Sequence, residues 1–374
     1  MNNAQPPPWY QLTHIDQIDS PALVVYPERV RENIRRLKSI VPDLSRLRPH
    51  VKTHKMAEVT RMLLEEGIAK FKCATIAEAE MLAAEGAKDV LLAYQPVGPK
   101  MVRLRQLVDT FPDTRFACLI DNGETAERLG EIFAKAGKTI PVWLDLNVGM
   151  NRTGIAPGKE ARDLYRRCQR LPGIQIIGLH AYDGHIRDTD FTLRKSKSDA
   201  DFAPVRALAH QITELTGTQP RLVAGGSPTF PVHALRPGVE CSPGTFVFWD
   251  WGYKSALPEL PFHFAALVIT RVVSVIDQET FTLDLGHKSI AAENPHPRVI
   301  FLNHPELIPI SQSEEHLVVK TTQLGTLPRV GDVLYGVPFH ICPTCALYER
   351  AWIAENGRIM GSWQVISRDR TITI

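Results

Sequence analysis

No window of this chain approaches the roughly 18 consecutive apolar residues of a membrane-spanning helix, so no spanning segment is expected. Charge of one sign is equally scarce, with 43 Lys and Arg against 41 Asp and Glu and a net charge of +2. A nucleic-acid footprint requires a basic block clear of acidic neighbours. The strongest basic cluster, Arg31 to Lys38, alternates with apolar Ile34 and Leu37 and reads as a solvated helix face. Cysteine is sparse. Six residues at positions 73, 118, 168, 241, 342 and 345 are scattered except for the last pair, which excludes a disulfide framework for a chain of 374 residues. The opening residues, Met1 to Pro8, lack the basic and apolar regions of a signal peptide, so a cytoplasmic location is expected. No Gly-x-Gly-x-x-Gly follows the first predicted strand, which weighs against a dinucleotide fold.

What is present is a regular alternation. Ser20 to Tyr26 reads as a short strand, and Pro27 suits the first turn of a helix running to about Ile40. A strand ending near Lys52 precedes a helix closed by Gly67, and a strand at Lys70 to Cys73 precedes one closed by Gly86; both glycines are plausible C-caps. Apolar runs recur at Val90–Tyr94, Arg115–Ile120, Ile140–Leu146, Ile174–His180 and Arg221–Ala224, with helical segments between them. About eight strand-then-helix units in residues 20–250 call for a parallel sheet with right-handed crossovers. The predicted fold is α/β, an N-terminal (β/α)8 TIM-type barrel over residues 20–255, with a doubly wound open sheet as the alternative. After about residue 258 the pattern turns to alternating segments and tight turns. This predicts an all-β domain over residues 256–374, with residues 1–19 packed on it.

The carboxyl ends of parallel strands are where ligands bind, so the strand ends are the places to look. Leu47, Pro49 and Val51 alternate as a short strand, and Lys52 stands where it gives way to a helix. A lysine there is a Schiff-base nucleophile or one half of a salt bridge. If the strand runs far enough, period-two alternation puts His50, Lys52 and His54 on one side and Lys55 on the other, favouring Lys52 as the nucleophile. Asp145 to Gly154 brings two glycines and Arg152 to a second strand end, and His180 to His185 brings His180 and Tyr182 to a third. At a fourth, Gly225, Gly226, Ser227 and Thr229 suit a phosphate, because backbone N–H groups approach its oxygens with no Cβ in the way. Taken singly, that loop is an ordinary tight turn and Arg152 an ion-pair partner. A strand-end lysine together with a distal phosphate loop suggests pyridoxal 5′-phosphate (PLP).

In the all-β region, His340, Cys342 and Cys345 stand out. On a strand, His-x-Cys places both side chains on one face, where both can bind one borderline-soft ion with water or substrate completing the shell. A redox Cys-x-x-Cys and a merely buried strand are the alternatives; the redox reading is the weaker because the pair is not predicted to open a helix after a strand.

With these motifs assembled, the chain resembles the D-threonine aldolase/D-serine dehydratase family of PLP enzymes, a branch of the alanine racemase fold type. Arg48 to Lys55 resembles its PLP-lysine motif, Gly149 to Gly154 the alanine racemase arginine motif, Gly226 to Thr229 its phosphate loop, and His340-x-Cys342 its metal pair. The resemblance implies a PLP-binding barrel, a C-terminal β domain and a homodimer. It implies that Lys52 forms a Schiff base with PLP, Arg152 contacts the phenolic oxygen, and Gly226, Ser227 and Thr229 hold the phosphate. His180 and Tyr182 are candidates for cofactor or substrate contact, and His50 and His54 for the base. His340 and Cys342 would bind a divalent ion (Mn²⁺ or Zn²⁺, or Mg²⁺). Phe339 departs from the asparagine often found before the metal histidine. His287, Glu314, Glu315 and His316 are weaker candidates for lining the site. The implied activity is retro-aldol cleavage of a small D-β-hydroxy amino acid to glycine and an aldehyde. Dehydration of D-serine or D-3-hydroxyaspartate with loss of ammonia is the alternative, and a PLP carrier or racemase a second one.

Overall fold

The computed structural model describes residues 7–321, 323 and 328–374; residues 1–6 of the proline-rich lead-in lie outside that range. The chain divides into two compact units. One takes the chain up to Ile34 together with Val247–Ile366, the other Arg35–Phe246 with Ser367–Ile374.

A strand lying early in the chain, β1 (Ala22–Val25), belongs to the first unit. The second holds seven parallel strands in chain order, β2 (Lys70–Cys73), β3 (Asp89–Leu92), β4 (Arg115–Ile120), β5 (Ile140–Leu146), β6 (Ile174–Ala181), β7 (Arg221–Ala224) and β8 (Val239–Cys241). Their near-continuous apolar runs are buried, as strands covered on both faces must be. The lysine-bearing segment links the two edges of this sheet. Leu47 bridges Cys241 and His50 bridges Lys72, both in parallel, so residues 47–50 act as an eighth stave. The Arg48 amide donates to the Cys241 carbonyl and the Lys72 amide to the Pro49 carbonyl, each at 2.9 Å. The eight-strand TIM-type count therefore holds with one exchange of members. Ala22–Val25 is not a stave, and Val-Glu-Cys at 239–241, too short to register as a strand from sequence, is one.

Local chemistry explains the helix boundaries around the second strand. Gly67 and Gly86 both adopt φ +86°, and the residue after each donates back to a carbonyl in the last helical turn, as in a Schellman motif. Thr75 caps the helix Ile76–Ala84 by accepting from the Glu78 amide at 3.1 Å, and the Glu78 carboxylate accepts from the Ala74 amide at 2.6 Å.

The first unit is a nine-stranded, mostly antiparallel sheet. It comprises β1, β9 (Ala266–Val275), β10 (Thr280–Leu283), β11 (Val299–Phe301), β12 (Leu307–Gln312), β13 (Leu317–Thr321), β14 (Val333–Pro338), β15 (Arg350–Glu355) and β16 (Arg358–Gln364). β1 runs antiparallel to β9 and parallel to β15, so it lies inside this sheet. Every residue of β1 is buried, and Leu12 and Ile18 join Ala22, Val24, Leu267, Ile269 and Tyr335 in one apolar cluster. A four-residue apolar run satisfies a barrel stave or a central strand of this sheet equally well, which is why its sequence does not separate the two. Among the described residues no helix is long and apolar enough to cross a membrane.

Candidate active site

Alternation along the staves sorts the barrel interior into layers. Toward the amino ends of the strands, Arg48, 1% exposed, is gripped by Asp89 and Glu240, each at 2.6 Å, and Glu240 also takes Lys70 at 2.6 Å. Burial pulls the Arg48 guanidinium toward neutrality, but Glu240 and Asp89 outweigh it and hold the charge. Above this plug lies an apolar layer containing Leu91, Ala117, Leu119, Trp143 and Val223.

The layer at the carboxyl ends is polar and differently balanced. His180 Nδ1 lies 2.7 Å from Asp145 Oδ1, and Lys72 Nζ lies 3.3 Å from His180 Nε2. All three residues are buried. Burial raises the Asp145 carboxyl, but its bonds to His180 and Thr153 outweigh that and hold it below the usual carboxylate range. His180 is driven toward the neutral form by burial and then by Lys72. With Asp145 ionised, the neutral ring carries its proton on Nδ1 and offers the Nε2 lone pair to Lys72. The Lys72 ammonium is itself pushed down to about 7, by burial first and the charge of Lys52 second. Lys72 is a residue that sequence reasoning leaves unmarked. Its signal is faint: a second charge, in phase with Lys70, inside the short strand Lys-Phe-Lys-Cys.

Lys52 and its neighbours sit where this layer opens. Bridging stops at His50, and residues 51–54 turn, the Lys55 amide donating to the Val51 carbonyl at 3.0 Å. The period-two reading that carried the alternation to His54 is therefore corrected, because the chain is no longer a strand there. Lys55 adopts φ +55° and pairs with the fully buried carboxylate of Glu78. Among the described residues Lys52 forms no ion pair. The Lys52 amide donates to His50 Nδ1 at 3.2 Å, and burial drives the His50 imidazole well below its usual range. His54 is pushed to about 3, again chiefly by burial. Its Nδ1 accepts from the Met56 amide at 3.1 Å, while its buried Nε2 has no partner among the described residues.

Arg152 is exposed and stands over the Tyr182 ring at 4.7 Å, and the same ring lies 5.9 Å from Lys72 Nζ. Tyr182 packs against the glycine loop: a Cβ on Gly226 would come within 2.9 Å of the ring. Gly225 has φ +78°, and a Cβ there would come within 2.6 Å of His233. Ser227 Oγ accepts from the amides of Gly244 at 3.3 Å and Thr245 at 3.2 Å. Thr229 donates to Asp183 at 2.6 Å, His233 Nε2 lies 2.9 Å from the other Asp183 oxygen, and Ser198 donates to that oxygen at 3.2 Å. Asp183 and His233 thus brace the loop from behind; Asp183 lies inside the His180–His185 strand end marked from sequence, without this role, and His233 is unmarked.

In the first unit, His340 and Cys342 are not on a strand, which corrects the predicted setting. His340 is the N-cap of the helix Ile341–Leu347, so the Cys342-x-x-Cys345 pair does open a helix, following β14. The two side chains still meet, because the helical turn folds Cys342 back onto its cap. Burial would lower the His340 imidazole, but the hydrogen bond and charge of Cys342 outweigh it, with help from Asp250 and Glu293, and lift it to about 9. His340 Nδ1 lies 2.5 Å from Glu293 Oε1, a carboxylate–histidine arrangement that leaves Nε2 for another partner. Among the described residues no group of three or more His, Cys, Asp or Glu is placed to hold a metal. Glu314 and Glu315 form an exposed ion-pair cluster with Lys288, at 2.6 and 3.0 Å.

A parallel barrel with a strand-end lysine, a glycine phosphate-type loop and an appended antiparallel domain defines a class of cofactor-dependent enzymes. The chain belongs to the alanine racemase N-terminal domain family, whose profile matches residues 25–250; a serine dehydratase domain profile matches residues 265–354. It is 26% identical over 372 residues to a D-threonine aldolase from Arthrobacter sp, covering 98% of this chain and 97% of the relative. It is 26% identical over 369 residues to a 3-hydroxy-D-aspartate aldolase from Paracoccus denitrificans, covering 95% and 93%. The solved D-threonine aldolase from Filomicrobium marinum superimposes with a TM-score of 0.87 at 25% identity, over 97% of this chain and 99% of that one. A D-threo-3-hydroxyaspartate dehydratase from Delftia sp. HT23 shares the fold, with a TM-score of 0.80 at 21% identity over 93% and 97%. Solved variants of that dehydratase replace a histidine and, two positions on, a cysteine by alanine, the latter in a metal-free form.

Proposed function

We propose that the protein is a PLP-dependent lyase that splits the Cα–Cβ bond of small D-β-hydroxy amino acids, releasing glycine and an aldehyde. One observation carries the assignment of its central residue. Of two lysines three positions apart at one strand end, Lys55 is committed to Glu78, while Lys52 is paired with no carboxylate. The surrounding residues fit PLP. Gly225 and Gly226 let the backbone approach a phosphate where a Cβ would collide. The amides of Gly244 and Thr245 converge beside Ser227, and the loops after the seventh and eighth strands are the usual phosphate seat of this barrel. His54 Nε2 and Ser242 Oγ are buried polar atoms with no partner among the described residues, as expected where a polar ligand completes the bonding.

PLP, when bound, supplies an electron sink for negative charge at the substrate Cα. The chain does the rest. Lys52 would hold the aldehyde, Arg152 the phenolic oxygen, and Gly226, Ser227 and the Thr229 turn the phosphate. His50 and His54 are the proposed acceptors of the β-hydroxyl proton; burial holds both neutral and opposes their protonation, so a negative charge brought in beside them must offset it. His340 and Cys342 would hold a divalent ion, Mn²⁺ or Zn²⁺ or Mg²⁺, which supplies Lewis acidity. The histidine and cysteine two positions apart in the dehydratase variants support that pair. The same residues serve dehydration to a keto acid and ammonia, a second reading favoured by the serine dehydratase profile over residues 265–354. We further propose a cytoplasmic homodimer, which light scattering at a mass twice that of the chain would support.

The test is direct. The purified protein should be yellow, and with D-threonine and Mn²⁺ or Zn²⁺ it should yield acetaldehyde and glycine. 2-Oxobutanoate instead would select the dehydratase, and L-allo-threonine from D-threonine or L-alanine from D-alanine a racemase. A colourless protein whose Lys52→Ala variant behaves like wild type would overturn the proposal.

A further inference from the structure

We propose that Lys72 and Arg152 together form an anion-binding subsite across the Tyr182 ring, in which Lys72 takes up a proton when an anionic oxygen binds. This rests on the PLP reading for the identity of the anion and extends it to a residue that no motif assigns. Two cations address one aromatic ring, the guanidinium at 4.7 Å and the ammonium nitrogen at 5.9 Å from its centroid. Lys72 is fixed from below by the hydrogen bond to His180, which Asp145 anchors in turn. The groups that face it are Arg48 and His50 from the neighbouring stave, Lys52 from the turn, Asp145 from β5, Arg152 from the loop after β5, His180 from β6 and Tyr182 just after β6. Asp145 is the one carboxylate among these, and it is engaged by His180.

Burial and the surrounding cations hold the Lys72 amine near 7. An oxyanion arriving beside it supplies the missing counter-charge, favours the ammonium form and raises that value. Proton binding at Lys72 and anion binding are therefore linked, each favouring the other. The ligand chemistry is a phenolate or carboxylate oxygen, supplied either by the pyridine ring of the cofactor or by the substrate.

Calorimetry of the full-length, cofactor-stripped chain in two buffers of different ionisation enthalpy tests this. The probe is 4′-deoxypyridoxine 5′-phosphate, which lacks the aldehyde and cannot react with Lys52. At pH 8 the wild type should take up more than about half a proton beyond that of either variant. Lys72→Arg should bind with near wild-type affinity and without this uptake, because its charge is permanent. Lys72→Met should lose both the uptake and about tenfold in affinity. A second arm adds D-serine to the metal-free holoenzyme: uptake confined to this arm assigns the anion to the substrate carboxylate. If wild type and Lys72→Arg take up equal numbers of protons in both arms, the subsite is refuted while the PLP reading stands. If the probe does not bind at all, both fall. Should the variants fail to fold, the ¹³Cε resonances of the wild-type lysines decide: one midpoint near neutrality that moves up with the probe supports the subsite, and none that moves refutes it.

Discussion

The two ends of the barrel interior solve the problem of buried charge in opposite ways. At the amino ends of the strands, Arg48 meets two carboxylates, Lys70 shares one of them, and each ion lies within 2.6 Å of a counter-ion. At the carboxyl ends, buried Lys72 has half-buried Lys52 and exposed Arg152 for neighbours and one carboxylate, Asp145, which is already bonded to His180. The first arrangement is closed and structural. The second carries an excess of positive charge, which burial can sustain only by suppressing protonation or by receiving an anion. One fold thus keeps its stability layer and its reactive layer apart, a few residues from each other along the same stave.

Substitutions at the two layers sharpen the contrast. The largest effect belongs to Lys52→Ala, which should abolish the imine absorbance and lower turnover by about 10³-fold or more, read by visible spectroscopy and an aldehyde assay. Arg48→Met comes next. It strands Asp89 and leaves Glu240 with Lys70 alone, and should cost about 3–5 kcal/mol in urea unfolding. The same replacement at the other end, Lys72→Met, should do the reverse in the cofactor-free protein and stabilise it by about 2–4 kcal/mol at or below neutral pH. The sign follows from protonation. The folded-state value of about 7 lies below the ordinary lysine value, so the unfolded chain binds the extra proton between the two. Wild-type stability should therefore rise with pH above 7, and the advantage of Lys72→Met should vanish by about pH 10.5. A variant that stayed equally stabilised at high pH would break the comparison. The smallest effect is Thr229→Val, which removes the bond to Asp183 behind the phosphate loop; weaker PLP binding by about five- to tenfold is expected in equilibrium dialysis.

Legibility from sequence followed spacing. The lysine stretch, the arginine motif and the Gly-Gly-Ser-Pro-Thr loop are contiguous and carry unusual residues at strand ends, so they could be marked along the chain. Lys72 and His233 could not, nor could the role of Asp183 inside the marked His180–His185 stretch. Each is a common residue type whose role arises from a partner 46 to 108 positions away. The His340–Cys342 pair was visible as two ligand-type residues, yet its helical setting was not, because a Pro and a Thr inside a seven-residue segment give no clear periodicity.

The linear pattern of apolar runs and helix caps was enough to predict a parallel α/β unit of about eight strands, barrel or open sheet, followed by an antiparallel domain, since strand and helix periodicities are local. It also singled out Lys52 as the proposed cofactor lysine, on its strand-end place and the glycine loop at residues 225–229. Tertiary structure alone decided which short strands close the barrel, drawing Val239–Cys241 in and placing Ala22–Val25 in the other sheet. It alone placed Glu78 against Lys55 and set Lys72 beneath Tyr182. Charge balance in a buried layer is a sum over neighbours in space, and a chain read residue by residue does not contain that sum.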